Sequence, residues 1–373
     1  MFTHLLINQK MAANQEEAEK QATDLESVNQ RIIVIGASSG GFDVIRTIVK
    51  NLPPDLNASI FIVWHMSPDI RSVLPHMLNK VNKIYAAHAH DREEILPNRI
   101  YIAPPDHHLL VEEGYVRVTH GPKENRFRPA VDPLFRSAAY AYGDRVIGIV
   151  LSGALDDGTA GLWAIKNYGG TTVVQDPKDA EVSSMPENAL QQVEIDYCLP
   201  AAELAGLLVR LQAEKTQKSK VVEEDQTKAE IQIAAENSAL AMEVFKNGKL
   251  TEFTCPDCHG VLSKIIEGKM IRYRCHTGHA FSADTLLATI TENIEASMYN
   301  AIRGIDESVL LLNHLGDHFA EANNTRLAAM YFRKAKEAGE RSELIRKAVF
   351  DHEQLSKEAL AQQAINGNGS INH

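Results

Sequence analysis

The sequence predicts an α/β protein with a doubly wound, mainly parallel sheet, followed by a small zinc-knuckle-like unit and a C-terminal helical hairpin. Three observations carry this. Apolar runs alternate with stretches of helical spacing over residues 31–212, three Cys and three His residues cluster near 255–279, and the chain after Ala283 is rich in Ala, Glu and Leu and free of proline to about Leu360. Strand runs that are apolar throughout, rather than alternating, belong to a sheet covered on both faces.

Residues 1–30 are rich in Gln, Glu, Ala and Asn and read as a flexible tail. RIIVI (31–35) is a β-branched run that meets Gly36, the pattern of a buried strand entering a turn. Val44, Ile45, Ile48 and Val49 then recur at helical spacing. SIFIVW (59–64) is a second core strand ending at His65, followed by a helix over 69–80, a strand RIYIA (99–103) and a hairpin LLVEEGYVRV (109–118). VIGIVLS (146–152) leads into Gly153 and a helix over about 159–167. TTVVQ (171–175) is a further strand, and 200–212 closes the unit as a helix. Residues 213–249, including the charged stretch EKTQKSKVVEEDQTKAE, read as a linker. The Cys/His unit takes 250–282, the helical hairpin 283–360 with its turn at Asn323-Asn324, and 361–373 form a disordered tail.

Composition narrows the function. A 373-residue chain with 44% hydrophobic and 23% charged residues is a folded protein of two domains, or one with appendages. Its 38 Lys+Arg against 49 Asp+Glu give −11, which argues against nucleic-acid binding and against docking on an anionic membrane. No apolar run reaches the ~18 residues of a membrane span, and the opening lacks a secretory apolar core. A cytoplasmic protein is expected, with reduced thiols as the default state of its four cysteines.

Gly36-Ala37-Ser38-Ser39-Gly40 fits G-x-S-x-G between a strand and a helix. A serine in so tight a turn is exposed at the carboxyl edge of the sheet, beside a helix N-terminus whose N–H groups can hold an oxyanion. The pattern serves three readings: an esterase nucleophile, a phosphate cradle, or a purely structural turn. The missing P-loop Lys and the absence of G-x-G-x-x-G weaken the nucleotide reading. His65 and Asp157 follow two other core strands, and ligands of open parallel sheets bind at such ends. A lone strand-end His is ordinarily structural, but Ser, His and Asp on three strand ends together suggest a triad. Ser38 is then the nucleophile, His65 the general base and acid, and Asp157 the residue that orients the imidazole. The chain order Ser…His…Asp, with the elbow after the first core strand, excludes the ordinary α/β-hydrolase fold.

VIGASSGGFDVIR, WHMSPD, RPAVDPLF (128–135), LSGALDDGTAG (151–161) and SMPENA (184–189) resemble, in order, the catalytic domain of the chemoreceptor methylesterases, the CheB family. The resemblance covers about 31–212. It implies hydrolysis of γ-glutamyl methyl esters on chemotaxis receptors, often with deamidation of receptor glutamines, and no catalytic cofactor. The family's catalytic serine, histidine and aspartate fall on Ser38, His65 and Asp157. Ser39 stands where the family often has Thr, and Gly-Ala-Leu-Asp-Asp-Gly (153–158) where it commonly has Gly-Met-Gly-Asn-Asp-Gly. Family members usually carry an N-terminal receiver domain. Only 30 residues precede the first core strand, so a chain without a receiver and without phosphorylation control in cis is expected.

Cys255, Cys258, Cys275 and His279 form C-x2-C-x16-C-x3-H, a spacing that suits tetrahedral zinc. Free thiols and a redox C-x2-C are the alternatives. His279 is preferred to the adjacent His276 as fourth ligand, and closed coordination makes the metal structural. Cys198, in the apolar stretch YCLP, reads as a buried small hydrophobe. The Cys/His unit is expected to fold apart from the esterase core. In the hairpin, Val309, Leu310, Leu312, Leu315 and Phe319 either bury the hairpin's own seam or dock a partner helix. The rival to an enzyme is a non-catalytic signalling adaptor that retains the esterase fold.

Overall fold

The structure, a computed structural model, describes residues 30–65, 73–214, 225–236, 248–352 and 355. Residues 1–29 of the predicted tail, Met66 to Asp69 of the WHMSPD motif, much of the 213–249 stretch and the 361–373 tail lie outside the described residues. The chain divides into two compact units, one running to Ser282 and one starting at Ala283.

The first unit is built on a seven-stranded parallel sheet. Its strands are β1 (Arg31–Ala37), β2 (Ala58–Trp64), β3 (Tyr85–His88), β4 (Arg99–Ile102), β7 (Val146–Val150), β8 (Thr171–Gln175) and β9 (Tyr197–Leu199), in the order β3-β4-β2-β1-β7-β8-β9. A hairpin of β5 (His108–Glu112) and β6 (Tyr115–Thr119) forms a second, two-stranded sheet that packs into the same core. The helices are α1 (Gly41–Asn51), α2 (Leu74–Val81), α3 (Val131–Tyr142), α4 (Thr159–Asn167), α5 (Ser184–Gln192), α6 (Ala201–Ala213) and α7 (Asp225–Ala234).

All seven residues of β1 are buried, as its unbroken apolar run requires. Alternate side chains serve opposite faces. Ile33 and Ile35 pack with α1, α2 and α6 through Ile45, Ile48, Leu78 and Leu208. Ile32 and Val34 pack with α3, α4 and α5 through Phe135, Leu162 and Met185. Each such side chain taken from water contributes about 1.5–3 kcal/mol, which fixes the sheet between two helical layers. The chain winds outward from β1 through β2 in one direction and through β7 in the other. The strand order therefore reverses at β1/β7, the place where parallel sheets bind ligands.

The Cys/His unit is a four-stranded antiparallel sheet of β10 (Lys249–Thr254), β11 (Val261–Glu267), β12 (Met270–Cys275) and β13 (Ala280–Ser282). It lies in the same compact unit as the esterase core. Glu124 and Arg136 from the first sheet's side, Glu230 of α7, and Glu267, Arg272 and Arg274 of β11 and β12 form one buried network. Three carboxylates there face three guanidiniums. Burial would raise the Glu124 carboxyl, but Arg136, Arg274 and Arg272 hold it well below the usual carboxylate range.

The second unit is a hairpin of α8 (Ala283–Glu321) and α9 (Thr325–Phe350). Its turn falls at Asn323-Asn324, where Asn324 caps α9 by accepting from the Leu327 N–H at 3.2 Å. Val309, Leu312, Leu315 and Phe319 are half-buried, whereas Leu310 is exposed. Among the described residues no helix is long and apolar enough to cross a membrane.

Candidate active site and cysteine cluster

Ser38, His65 and Asp157 stand just beyond the carboxyl ends of β1, β2 and β7, three adjacent strands. Ser38 sits in the turn between β1 and α1, with Gly40 in the left-handed region at φ 75°. The backbone of the turn is pinned from three directions. The Ser38 N–H donates to the Ser152 carbonyl at 2.9 Å, its carbonyl accepts from Trp64 Nε1 at 3.0 Å, and the His65 N–H donates to the Ala37 carbonyl at 3.0 Å. Ser38 and His65 are each 8% exposed and Asp157 1%, so the group is almost wholly buried.

His65 Nε2 lies 2.8 Å from Asp157 Oδ2. That carboxylate is held by more than the imidazole. Oδ2 also accepts from the Val131 N–H at 2.7 Å, and Oδ1 accepts from Asn125 Nδ2, the Gly158 N–H and the Asp132 N–H. Val131 and Asp132 open α3, so the charge sits at a helix N-terminus, where it is stabilised. Burial alone would raise the Asp157 carboxyl, but the bonds from His65, Val131 and Asn125 keep it below its ordinary value and ionised. An ionised acceptor requires the proton on Nε2. Nδ1 is then the basic nitrogen, and it is buried with no hydrogen-bond partner among the described residues. The Phe127 ring stacks on the imidazole at 3.8 Å, with 10° between the planes.

Asp132, in the first turn of α3, returns the favour to α4. Its Oδ1 accepts from the N–H groups of Gly158 and Gly161, and its Oδ2 accepts from Asn125 Nδ2. Two buried carboxylates thus cross-cap two helices, with the Asn125 amide between them. Burial and the neighbouring Asp157 push the Asp132 carboxyl up to about 8. Asn125, Phe127 and Asp132 lay hidden in sequence: Asp132 falls inside RPAVDPLF with no spacing signal of its own, and the other two sit in an irregular loop.

The Ser38 N–H is spent on Ser152, the Gly41 N–H on Ser38 and the Gly153 N–H on Val182. The N–H groups of Ser39 and Gly40 have no acceptor among the described residues, which leaves them to receive negative charge beside Ser38.

In the antiparallel sheet, one donor atom from each of Cys255, Cys258, Cys275 and His279 lies within 4.8 Å of the other three. Cys255 and Cys275 are buried, whereas His276 is exposed. Cys258 Sγ and Cys275 Sγ are 3.6 Å apart, and all four cysteines are free. Cys198, expected in the interior, is exposed on the edge strand β9, where no further strand covers it.

A serine turn at the switch point of a parallel sheet, with a carboxylate-held imidazole beside it, defines a serine-type carboxylic ester hydrolase. A family model described as CheB methylesterase matches residues 33–208. A Leptospira interrogans protein named "Putative protein-glutamate methylesterase/protein-glutamine glutaminase" is 38% identical over 185 residues, covering 49% of this chain and 96% of that protein. A protein-glutamate methylesterase/protein-glutamine glutaminase of Thermotoga maritima is 35% identical over 189 residues, covering 50% of this chain and 55% of its own length. The crystal structure of the Thermotoga maritima CheB methylesterase catalytic domain is also similar, at 35% identity and a TM-score of 0.47, covering 49% of this chain and 98% of that one. The chain belongs to the CheB methylesterase family.

Proposed function

We propose that this chain hydrolyses γ-glutamyl methyl esters on a methylated chemoreceptor or similar signalling protein, with Ser38, His65 and Asp157 as the catalytic triad. The single observation that carries the mechanism is the His65 Nε2–Asp157 Oδ2 bond, which leaves Nδ1 unbonded among the described residues and available as the base. Nδ1 takes the Ser38 hydroxyl proton as Oγ attacks the ester carbonyl carbon. The resulting oxyanion is met by the N–H groups of Ser39 and Gly40. Collapse breaks the C–OCH3 bond, and the His65 proton goes to the departing methoxide, giving methanol and a γ-glutamyl ester of Ser38. Water then attacks that ester, giving its proton to Nδ1, and the proton returns to Oγ as the carboxylate leaves. A side-chain amide follows the same route, with ammonia in place of methanol. Labelling by a serine-directed fluorophosphonate, mapped by mass spectrometry, tests the nucleophile: modification is expected at Ser38, and modification elsewhere contradicts the assignment.

Cys255, Cys258, Cys275 and His279 are proposed to hold one structural zinc. The sulfur–sulfur distance of 3.6 Å and the Sγ–Nδ1 distances of 3.7 and 3.6 Å to His279 suit the edge of a zinc tetrahedron, about 3.8 Å for 2.3 Å bonds. With four protein donors the metal carries no water to activate and supplies structure alone. The protein is proposed to work in the cytoplasm, where thiolate ligands stay reduced. A partner helix is proposed at the C-terminal hairpin, supported by the exposed Leu310, Leu311 and Leu344.

A further inference from the structure

We infer that the Cys/His unit positions the catalytic pair, acting through Asn125 and Phe127 in the loop that follows β6. The inference rests on the triad reading above. Asn125 and Arg126 occupy the left-handed region, with φ of 48° and 76°. Non-glycine residues stay there only where the surroundings hold them. On one side the loop delivers its side chains to the reaction centre. Asn125 Nδ2 spends both hydrogens on buried carboxylates, Asp157 at 3.0 Å and Asp132 at 2.9 Å, and Phe127 lies flat on His65.

On its other side the loop is held by β13. The Asn125 N–H donates to the Ala280 carbonyl at 2.8 Å, and the Ala280 N–H donates to the Lys123 carbonyl at 3.2 Å. The Ser282 N–H donates to Asn125 Oδ1 at 3.0 Å. That last bond settles which way the amide faces: with Oδ1 engaged by a donor, Nδ2 points at the two carboxylates. Ser282 Oγ also donates to Asp156, the residue before the catalytic aspartate, at 2.8 Å. Glu124, the residue before Asn125 in the loop, is clamped by Arg272 and Arg274 of β12. β12 ends at Cys275 and β13 starts directly after His279, so the strands that grip the loop run straight out of the cysteine cluster. An unsupported β13 frees Asn125 and Phe127 together. Asn125 and Phe127 are positioning residues, acting through Asp157 and His65 respectively.

The test uses the full 373-residue chain. Asn125→Gly keeps the left-handed backbone and removes the amide, while Asn125→Asp keeps the size and replaces the donors with a third carboxylate. Folding of each is confirmed by circular dichroism. With a methyl-esterified receptor fragment, kcat is expected to fall about ten- to hundredfold in Asn125→Gly, the effect of one lost bond to a charged group, and further in Asn125→Asp. KM should change little, because the bond is to Asp157 and not to substrate. A proton spectrum supplies a readout that needs no turnover: the far-downfield signal of the His65–Asp157 hydrogen bond should shift or broaden in both variants. Stripping the wild-type chain with a zinc chelator should broaden the same signal and lower kcat, and added zinc should restore both. Asn125→Gly with the wild-type rate and signal overturns the proposal, as does metal-free protein that retains both. An active Ser38→Ala would instead overturn the triad reading. Ser38→Ala without activity but with the wild-type proton signal separates the two.

Discussion

A Cβ added to Gly153 would lie 2.7 Å from the Cβ of Ser38 and 2.1 Å from Sδ of Met185. The end of β7 approaches the serine turn so closely that no side chain fits between them. The Gly153 N–H and carbonyl are also both used, by Val182 and Met185, so the residue has no room to withdraw. Gly153→Ala should therefore displace Ser38, costing about 1–3 kcal/mol of stability by overpacking and more than tenfold in kcat. Thermal melting and steady-state hydrolysis check this, and a variant with wild-type kcat contradicts it.

Asp157→Asn should remove the acceptor that fixes the His65 tautomer, with circular dichroism checking that the variant folds. Activity is expected to fall by about 10⁴-fold, as in other triads deprived of their carboxylate. Combining it with Ser38→Ala should cost no more than Ser38→Ala alone, since the three groups act as a unit. Additive losses would contradict the triad.

Glu230 is fully buried and shared among Arg272, Arg274 and Arg136. Glu230→Gln strands part of that positive charge, and removing one partner of a buried pair costs about 3–5 kcal/mol. Denaturant unfolding should show the loss, with residues 248–282 becoming protease-sensitive. Cys258→Ser should expose the same segment and lower bound zinc, because metal binding and folding share one free energy. Zinc content by mass spectrometry and limited proteolysis read both effects.

Asp132 gives a pH signature. Its carboxyl is pushed up to about 8 by burial and by Asp157, above the unfolded value of about 3.9. The folded chain therefore holds an extra proton between these limits. Stability contributed by that proton is lost as pH rises from about 4 to about 8, by at most about 1.4 kcal/mol per pH unit. Asp132→Asn does not titrate, so it should gain on the wild type as pH rises through this window. A stability difference that stays flat with pH contradicts the assignment.

The strands that place Ser38, His65 and Asp157 were legible because each is a continuous apolar run with a reactive residue at its end. β3, with only Ala86 fully buried in a YAAH stretch, carries no such signal, and three-residue β9 is too short to show one. Cys198 is exposed where its sequence neighbourhood predicts burial, because an apolar neighbourhood in sequence does not distinguish an edge strand from a central one. The cysteine spacing C-x2-C-x16-C-x3-H announced a cluster. It did not announce where the cluster packs. Glu124, Glu230, Arg272 and Arg274 look like solvated charges when read singly, and only tertiary contact pairs them in the interior. Asn125 and Phe127 likewise act through a loop geometry that no periodicity encodes.

Methanol release from a methyl-esterified chemoreceptor fragment, compared between the wild type and Ser38→Ala, tests the central claim most directly. The wild-type chain should release methanol stoichiometrically with new glutamate carboxylates. Ser38→Ala, which loses one hydroxyl and keeps the His65–Asp157 pair, should fall about 10³-fold or more, to near background. Methanol release by Ser38→Ala at the wild-type rate, or none by the wild type, would contradict the account.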